Sequence, residues 1–146
     1  MLDIPSNRLY TGTNYHPHDW PESRWETDFR LMKDASFNIV RLGHLCWDSF
    51  EPALGAFTFG WFDRALELCE KYGLMAVVDI PTRPAPLWLH KKFPGITVAG
   101  PEGRRLYPHS RYMEDVGHPR FQEFALGLAK NMASRYGDHP AVLAFG

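Results

Sequence analysis

What most constrains this chain is a rhythm in which short apolar runs alternate with longer stretches whose apolar residues recur at helical spacing. Residues 74–80 (LMAVVDI) are apolar almost without interruption. Such a run suits a strand covered on both faces, as in a parallel sheet flanked by helices. Around it stand three helical stripes. Trp25, Phe29 and Met32 fall at i, i+4 and i+7. Phe62, Leu66 and Cys69 line a second face, and Phe121, Ala125, Leu128 and Met132 a third. Pro21 and Pro119 suit first helical turns, and Gly73 and Gly137 stand where helices should stop. Further strands are predicted over residues 11–15, 38–43 and 141–146.

Four β units separated by three long helices call for a parallel α/β sheet. Two architectures compete, a doubly wound sheet and a barrel. No Gly-rich phosphate loop follows any predicted strand, which weighs against a nucleotide-binding sheet. The strand ends carry aromatic, His, Arg and acidic residues instead, the chemistry of a barrel rim. Residues 81–118 form a long irregular stretch with six prolines, within which 86–92 can make a short helix. Loops of that length in a compact domain are commonly functional, and the aromatics and mixed charges here favour an ordered one.

Composition narrows the partners. A 45% hydrophobic, 23% charged chain is globular, and a net charge of −1 gives no electrostatic basis for binding nucleic acid or an anionic membrane. Two cysteines, Cys46 and Cys69, are too few for a disulfide framework or a Cys-based zinc pattern, so buried free thiols are expected. The first ten residues lack the apolar core of a signal peptide, and no stretch has the length of a membrane span, so a cytoplasmic location is expected.

A set of motifs then occurs in order along the chain: Tyr15-His16-Pro17-His18-Asp19-Trp20-Pro21; Trp25 and Asp28 with Leu31-Met32-Lys33; Arg41-Leu42-Gly43 with Trp47 and Glu51-Pro52; Phe59-Gly60-Trp61-Phe62-Asp63; Pro81-Thr82 with Pro86 and Trp88-Leu89; Phe93-Pro94; Gly103-Arg104-Arg105; Ser110-Arg111; and Arg135-Tyr136-Gly137 with His139-Pro140-Ala141-Val142. Each is weak alone. The ordered set resembles glycoside hydrolase family 42.

That resemblance implies the N-terminal half of a TIM (β/α)8 barrel, about four parallel strands with three long helices, filling residues 1–146 and incomplete at the fourth strand. It implies a retaining β-galactosidase acting on terminal β-D-galactosides. Such chemistry needs two carboxyls about 5–5.5 Å apart, one acid/base and one nucleophile. In the family the acid/base is the Glu of an Asn-Glu pair ending the fourth strand, and the nucleophile lies further on. The expectation is that neither is present here and that this chain alone is inactive. A non-catalytic half-barrel that binds carbohydrate or assembles with a partner chain is the alternative, and a different barrel hydrolase on the same scaffold is a third reading. The resemblance also implies trimers at full length, so the partners expected are a galactoside, a second copy or a missing C-terminal half.

The resemblance assigns sugar binding to Arg111 and suggests Arg41 as a residue that steadies the nucleophile, since a guanidinium donates planar hydrogen bonds and keeps a carboxylate ionised. Tyr15, at the end of the first predicted strand, and Trp47, after the second, complete the candidate substrate contacts, Trp47 by stacking on sugar. Trp61 opens a helix and is expected in the core. Where many members carry the first Cys of a zinc cluster this chain has Asp115, so no metal is expected there, and no cofactor. His44 occupies a position that is often Glu in the family. His16 and His18 could form a metal pair, but Pro17 between them argues for a turn, and a rim position near substrate is preferred. Asp79 is expected to support or cap rather than catalyse, Glu51 to anchor a loop, and Glu114 and Asp115 to lie in a solvated loop.

Overall fold

The structure is a computed structural model that describes residues 8–106 and 112–146. Its elements in chain order are β1 (Gly12–Asn14), a 3-10 turn (Pro17–Asp19), α1 (Glu22–Asp34), β2 (Ile39–Leu42), α2 (Trp47–Phe50), α3 (Gly60–Tyr72), β3 (Met75–Val78), α4 (Leu87–Lys92), a second 3-10 turn (Pro94–Ile96), α5 (Pro119–Tyr136) and β4 (Val142–Phe145). The chain divides into two compact units. One comprises residues 1–44, 60–80 and 135–146, and the other 45–59 and 81–134.

The first unit holds the sheet. Its four strands lie in the order β1-β2-β3-β4, every neighbouring pair parallel. Sequential order without a reversal is the winding of a barrel. A doubly wound sheet would reverse its order at a switch point. Along β2 and β3 burial alternates, as the two-residue period of a strand requires. Val40, Leu42, Ala76 and Val78 are buried, whereas Ile39, Arg41, Met75 and Val77 are half-buried on the opposite face. The apolar run at 74–80 was expected to be covered on both faces, and among the described residues only one face is fully covered.

The helices of this unit supply that cover. On α1 the predicted stripe is the buried one, Trp25, Phe29 and Met32. On α3 Phe62, Leu66 and Cys69 are joined by Ala65 and Leu68. Lys71 and Tyr72 of α3 both reach Glu26 of α1, the tyrosine hydroxyl donating at 3.1 Å. Burial raises the Cys69 thiol to about 12, so it stays protonated. Gly73 closes α3 with φ +64°, the left-handed conformation of a helix C-terminus. Pro21 caps α1 from the position before its first turn instead of entering it.

In the second unit Trp47, Phe50, Leu89, Ile96, Leu128 and Met132 are fully buried. Helix α4 falls inside the short helix predicted at 86–92. The one-turn α2 was not anticipated, because four residues are too few to show a helical period. The described residues of the irregular stretch gather around a buried carboxylate. Glu114 accepts from the Ala85 backbone N–H at 2.7 Å and from Arg83 Nε at 3.3 Å, with His90 Nε2 3.5 Å away. This corrects the solvated-loop expectation for Glu114, since a buried carboxylate persists only when paired. Asp115 is exposed and accepts from Gly117 N.

Candidate active site

The carboxyl ends of β2 and β3 lie side by side in the first unit, and each brings a polar side chain there. Asp79 follows β3 directly, its backbone N–H donating to Leu42 O at 2.8 Å. This bond aims the Asp79 side chain at the end of β2. Arg41 Nε donates to Asp79 Oδ1 at 3.0 Å and Arg41 Nη2 lies 2.5 Å from Oδ2, a two-pronged pair. His44 Nδ1 is 2.7 Å from the same Oδ2. A carboxylate oxygen only accepts, so Nδ1 carries a proton, and in the neutral ring Nε2 is the acceptor. Arg41 Nη2 and His44 Nδ1, 3.2 Å apart, are two donors converging on one oxygen.

Exposure separates the roles. The Asp79 side chain is 7% exposed and that of Arg41 42%. Asp79 is thus a fixed strut, as expected of a supporting group, and Arg41 the part that remains open to a ligand. Gly12, Asn14, Ile39, Arg41 and Val77 line a shallow depression on the half-buried face of the sheet. Gly43, with φ +82°, turns the chain from β2 toward His44, and a Cβ there would stand 2.9 Å from Asp79 O.

A row of rings continues from His44. The His16 ring lies 6.0 Å from His44 and 5.6 Å from His18, and His18 lies 5.6 Å from Trp61. Trp61 and Phe62 meet edge to face at 5.2 Å, as do Phe62 and Tyr136. Asp63 anchors the end of α5, accepting from Arg135 Nε at 2.9 Å and from the Tyr136 hydroxyl at 2.8 Å. The Arg135 bond, ahead of that from Tyr136, lowers the Asp63 carboxyl below its ordinary range. Burial, then the bond to Asp63, pushes the Tyr136 phenol up.

Two predicted contacts stand elsewhere. Tyr15 is 8% exposed, packs on Phe29 and donates its hydroxyl to Asp28 Oδ2 at 2.9 Å. It braces α1, and its hydroxyl hydrogen is committed to Asp28. Trp47 is fully buried, edge-on to Phe121, with Nε1 donating to Glu51 Oε2 at 3.0 Å. The expectation of sugar stacking is therefore corrected, because an enclosed ring offers no free face. Glu51 anchors its loop as expected, also accepting from Gly55 N at 2.9 Å. Arg111 lies outside the described residues. The pairing of His44 with Asp79 escaped the sequence reading, since a His that contacts a residue 35 positions away leaves no local signal.

With this geometry in view, a family model described as beta-galactosidase, glycoside hydrolase family 42, matches residues 14–146. The chain belongs to that family. It is 35% identical over 139 residues to the beta-galactosidase BbgII of Bifidobacterium bifidum, covering 95% of this chain and 20% of that protein. A beta-galactosidase of Thermus thermophilus is 35% identical over 134 residues, 92% of this chain and 21% of the relative. Among solved structures, the beta-galactosidase of the haloarchaeon Halorubrum lacusprofundi superposes with a TM-score of 0.90 at 32% identity, over 94% of this chain and 20% of that one. The enzyme from the psychrophilic Marinomonas ef1 gives 0.89 at 31% identity, over 94% and 21%. The family 42 chain therefore spans about a fifth of the length of the relatives it matches, and its four parallel strands are those of the N-terminal part of their TIM barrel.

Proposed function

We propose that these residues form the substrate-facing first part of a retaining β-galactosidase barrel, with the acid/base and nucleophile carboxylates supplied from outside residues 1–146. The observation that carries the reading is Arg41, gripped at two points by buried Asp79 at the carboxyl end of β2, with much of its guanidinium open. In a (β/α)8 barrel the carboxyl ends of the strands are where chemistry is done. A pre-oriented guanidinium there gives planar hydrogen bonds to a sugar hydroxyl or to a catalytic carboxylate. The family assigns a second sugar contact to the Arg of Gly-Ser-Arg, which corresponds to Arg111. His44, with Nδ1 spent on Asp79, presents Nε2 as an acceptor for a hydroxyl.

The test is an assay of the intact protein on nitrophenyl β-galactoside beside other nitrophenyl sugars. Galactoside should be preferred, and Arg41→Lys should lose about 10²-fold in kcat/KM, because an ammonium cannot reproduce the two-pronged geometry. Preference for another sugar, or an Arg41→Lys variant within twofold of wild type, would overturn the reading.

One observation favours the second reading, a half-barrel that assembles with another chain. The face carrying Ile39, Met75 and Val77 is only half-buried, and in a closed barrel that face is filled by side chains from the remaining strands. Association and galactoside cleavage are compatible if the partner surface belongs to the rest of the barrel.

A further inference from the structure

We propose that His16, His18 and Asp19 bind one divalent transition-metal ion of the zinc class at the head of β1. One ligand atom from each of the three lies within 4.8 Å of the other two. His18 Nε2 and Asp19 Oδ1 are 3.7 Å apart, close to the edge of about 3.4 Å in a tetrahedron with metal bonds of about 2.0–2.1 Å. The exposed Asp19 carboxylate is the group that would swing inward to complete the set.

The backbone that carries these groups is already fixed. Pro17–Asp19 is a 3-10 turn closed by Asp19 N to His16 O at 3.1 Å and Trp20 N to Pro17 O at 3.0 Å. Pro17, which in the sequence argued against a metal pair, sits in the turn that gathers the two imidazoles and the carboxylate on one side. The rings are packed as well, His18 against Trp61 and His16 against His44, so little rotamer freedom remains to be lost on binding. Asp19, its side chain 64% exposed, leaves an entry path and room for water at the fourth position.

The donor set selects the ion. Two imidazoles and one carboxylate suit Zn²⁺, Ni²⁺ or Cu²⁺, whereas Ca²⁺ and Mg²⁺ take six or more oxygen donors. His44, held by Asp79 through Nδ1, stands beside His16 with Nε2 as its remaining acceptor, the arrangement in which a carboxylate orients a ligating imidazole.

The intact protein, stripped with chelator and dialysed, is titrated with Zn²⁺ by calorimetry and with Co²⁺ by absorption. Wild type should take up one more equivalent than His16→Ala/His18→Ala. Asp19→Asn should weaken that equivalent at least about tenfold. Asp19 is exposed, so this variant keeps the fold, which circular dichroism checks, and it decides the matter even if the double variant unfolds. Equal stoichiometry in wild type and a folded double variant, or an Asp19→Asn titration identical to wild type, would overturn the site. Neither readout depends on galactosidase activity.

Discussion

Asp79 receives two donors from β2 and its following turn, Arg41 and His44, and the backbone between those donors is set by Gly43. Its φ of +82° is one that L side chains rarely adopt, and the neighbouring Asp79 carbonyl leaves no room for a Cβ. Gly43→Ala should therefore cost about 1–3 kcal/mol of stability. It should also loosen the grip on Arg41, since the turn and the guanidinium share the same partner. Urea denaturation of the variant beside wild type measures the first effect. A midpoint equal to wild type would mean that the turn relaxes without strain. Arg41 was legible as a candidate from the strand pattern and the family motif. Its strut was not, because Asp79 lies 38 residues further along and only the parallel register of β2 with β3 brings the pair together.

At the scale of elements, the helical stripes were the most legible part of the chain. Every residue of the predicted stripes on α1 and α3 is buried, because a stripe repeated over three turns can satisfy only one geometry. Trp61, expected in the core from its place at the start of α3, is only half-buried, between His18 and Phe62. What joins α3 to the end of α5 was invisible. Asp63 takes hydrogen bonds from Arg135 and Tyr136, 72 and 73 residues away. Because these bonds lower the Asp63 carboxyl in the folded state, its contribution to stability is present at neutral pH. That contribution shrinks as pH falls through the ordinary aspartate range, and is lost below the folded value. Asp63→Asn should thus destabilise the protein more at pH 7 than at pH 3. Denaturation curves at both pH values test this, and an equal gap at both would contradict it. Trp47 shows the opposite limit. Its place after a strand suggested the rim, but a single helical turn, α2, folds it inward onto Phe121 and Glu51.

For the whole molecule, the sheet sets the expectation. Half-buried Ile39, Met75 and Val77 form an apolar face, and apolar faces of this kind associate. Residues 1–146 prepared alone should therefore run as dimers or larger species in size-exclusion chromatography and show no galactoside turnover. A well-behaved monomer, or turnover by a contamination-controlled sample, would sink this expectation. No described helix is long and apolar enough to cross a membrane.

The sequence by itself determined the order and kind of the long elements, the parallel sheet and the family, because periodicity and ordered motifs are local properties summed along the chain. It also marked Arg41 and the two histidines as residues worth watching. Only the tertiary structure decided which of them share a site. It tied Arg41 and His44 to Asp79, sent Tyr15 and Trp47 into the core, buried Glu114, and gathered His16, His18 and Asp19 on one turn. These outcomes depend on strand register and on which groups must find partners once water is excluded, and neither is written in the spacing of residues along the chain.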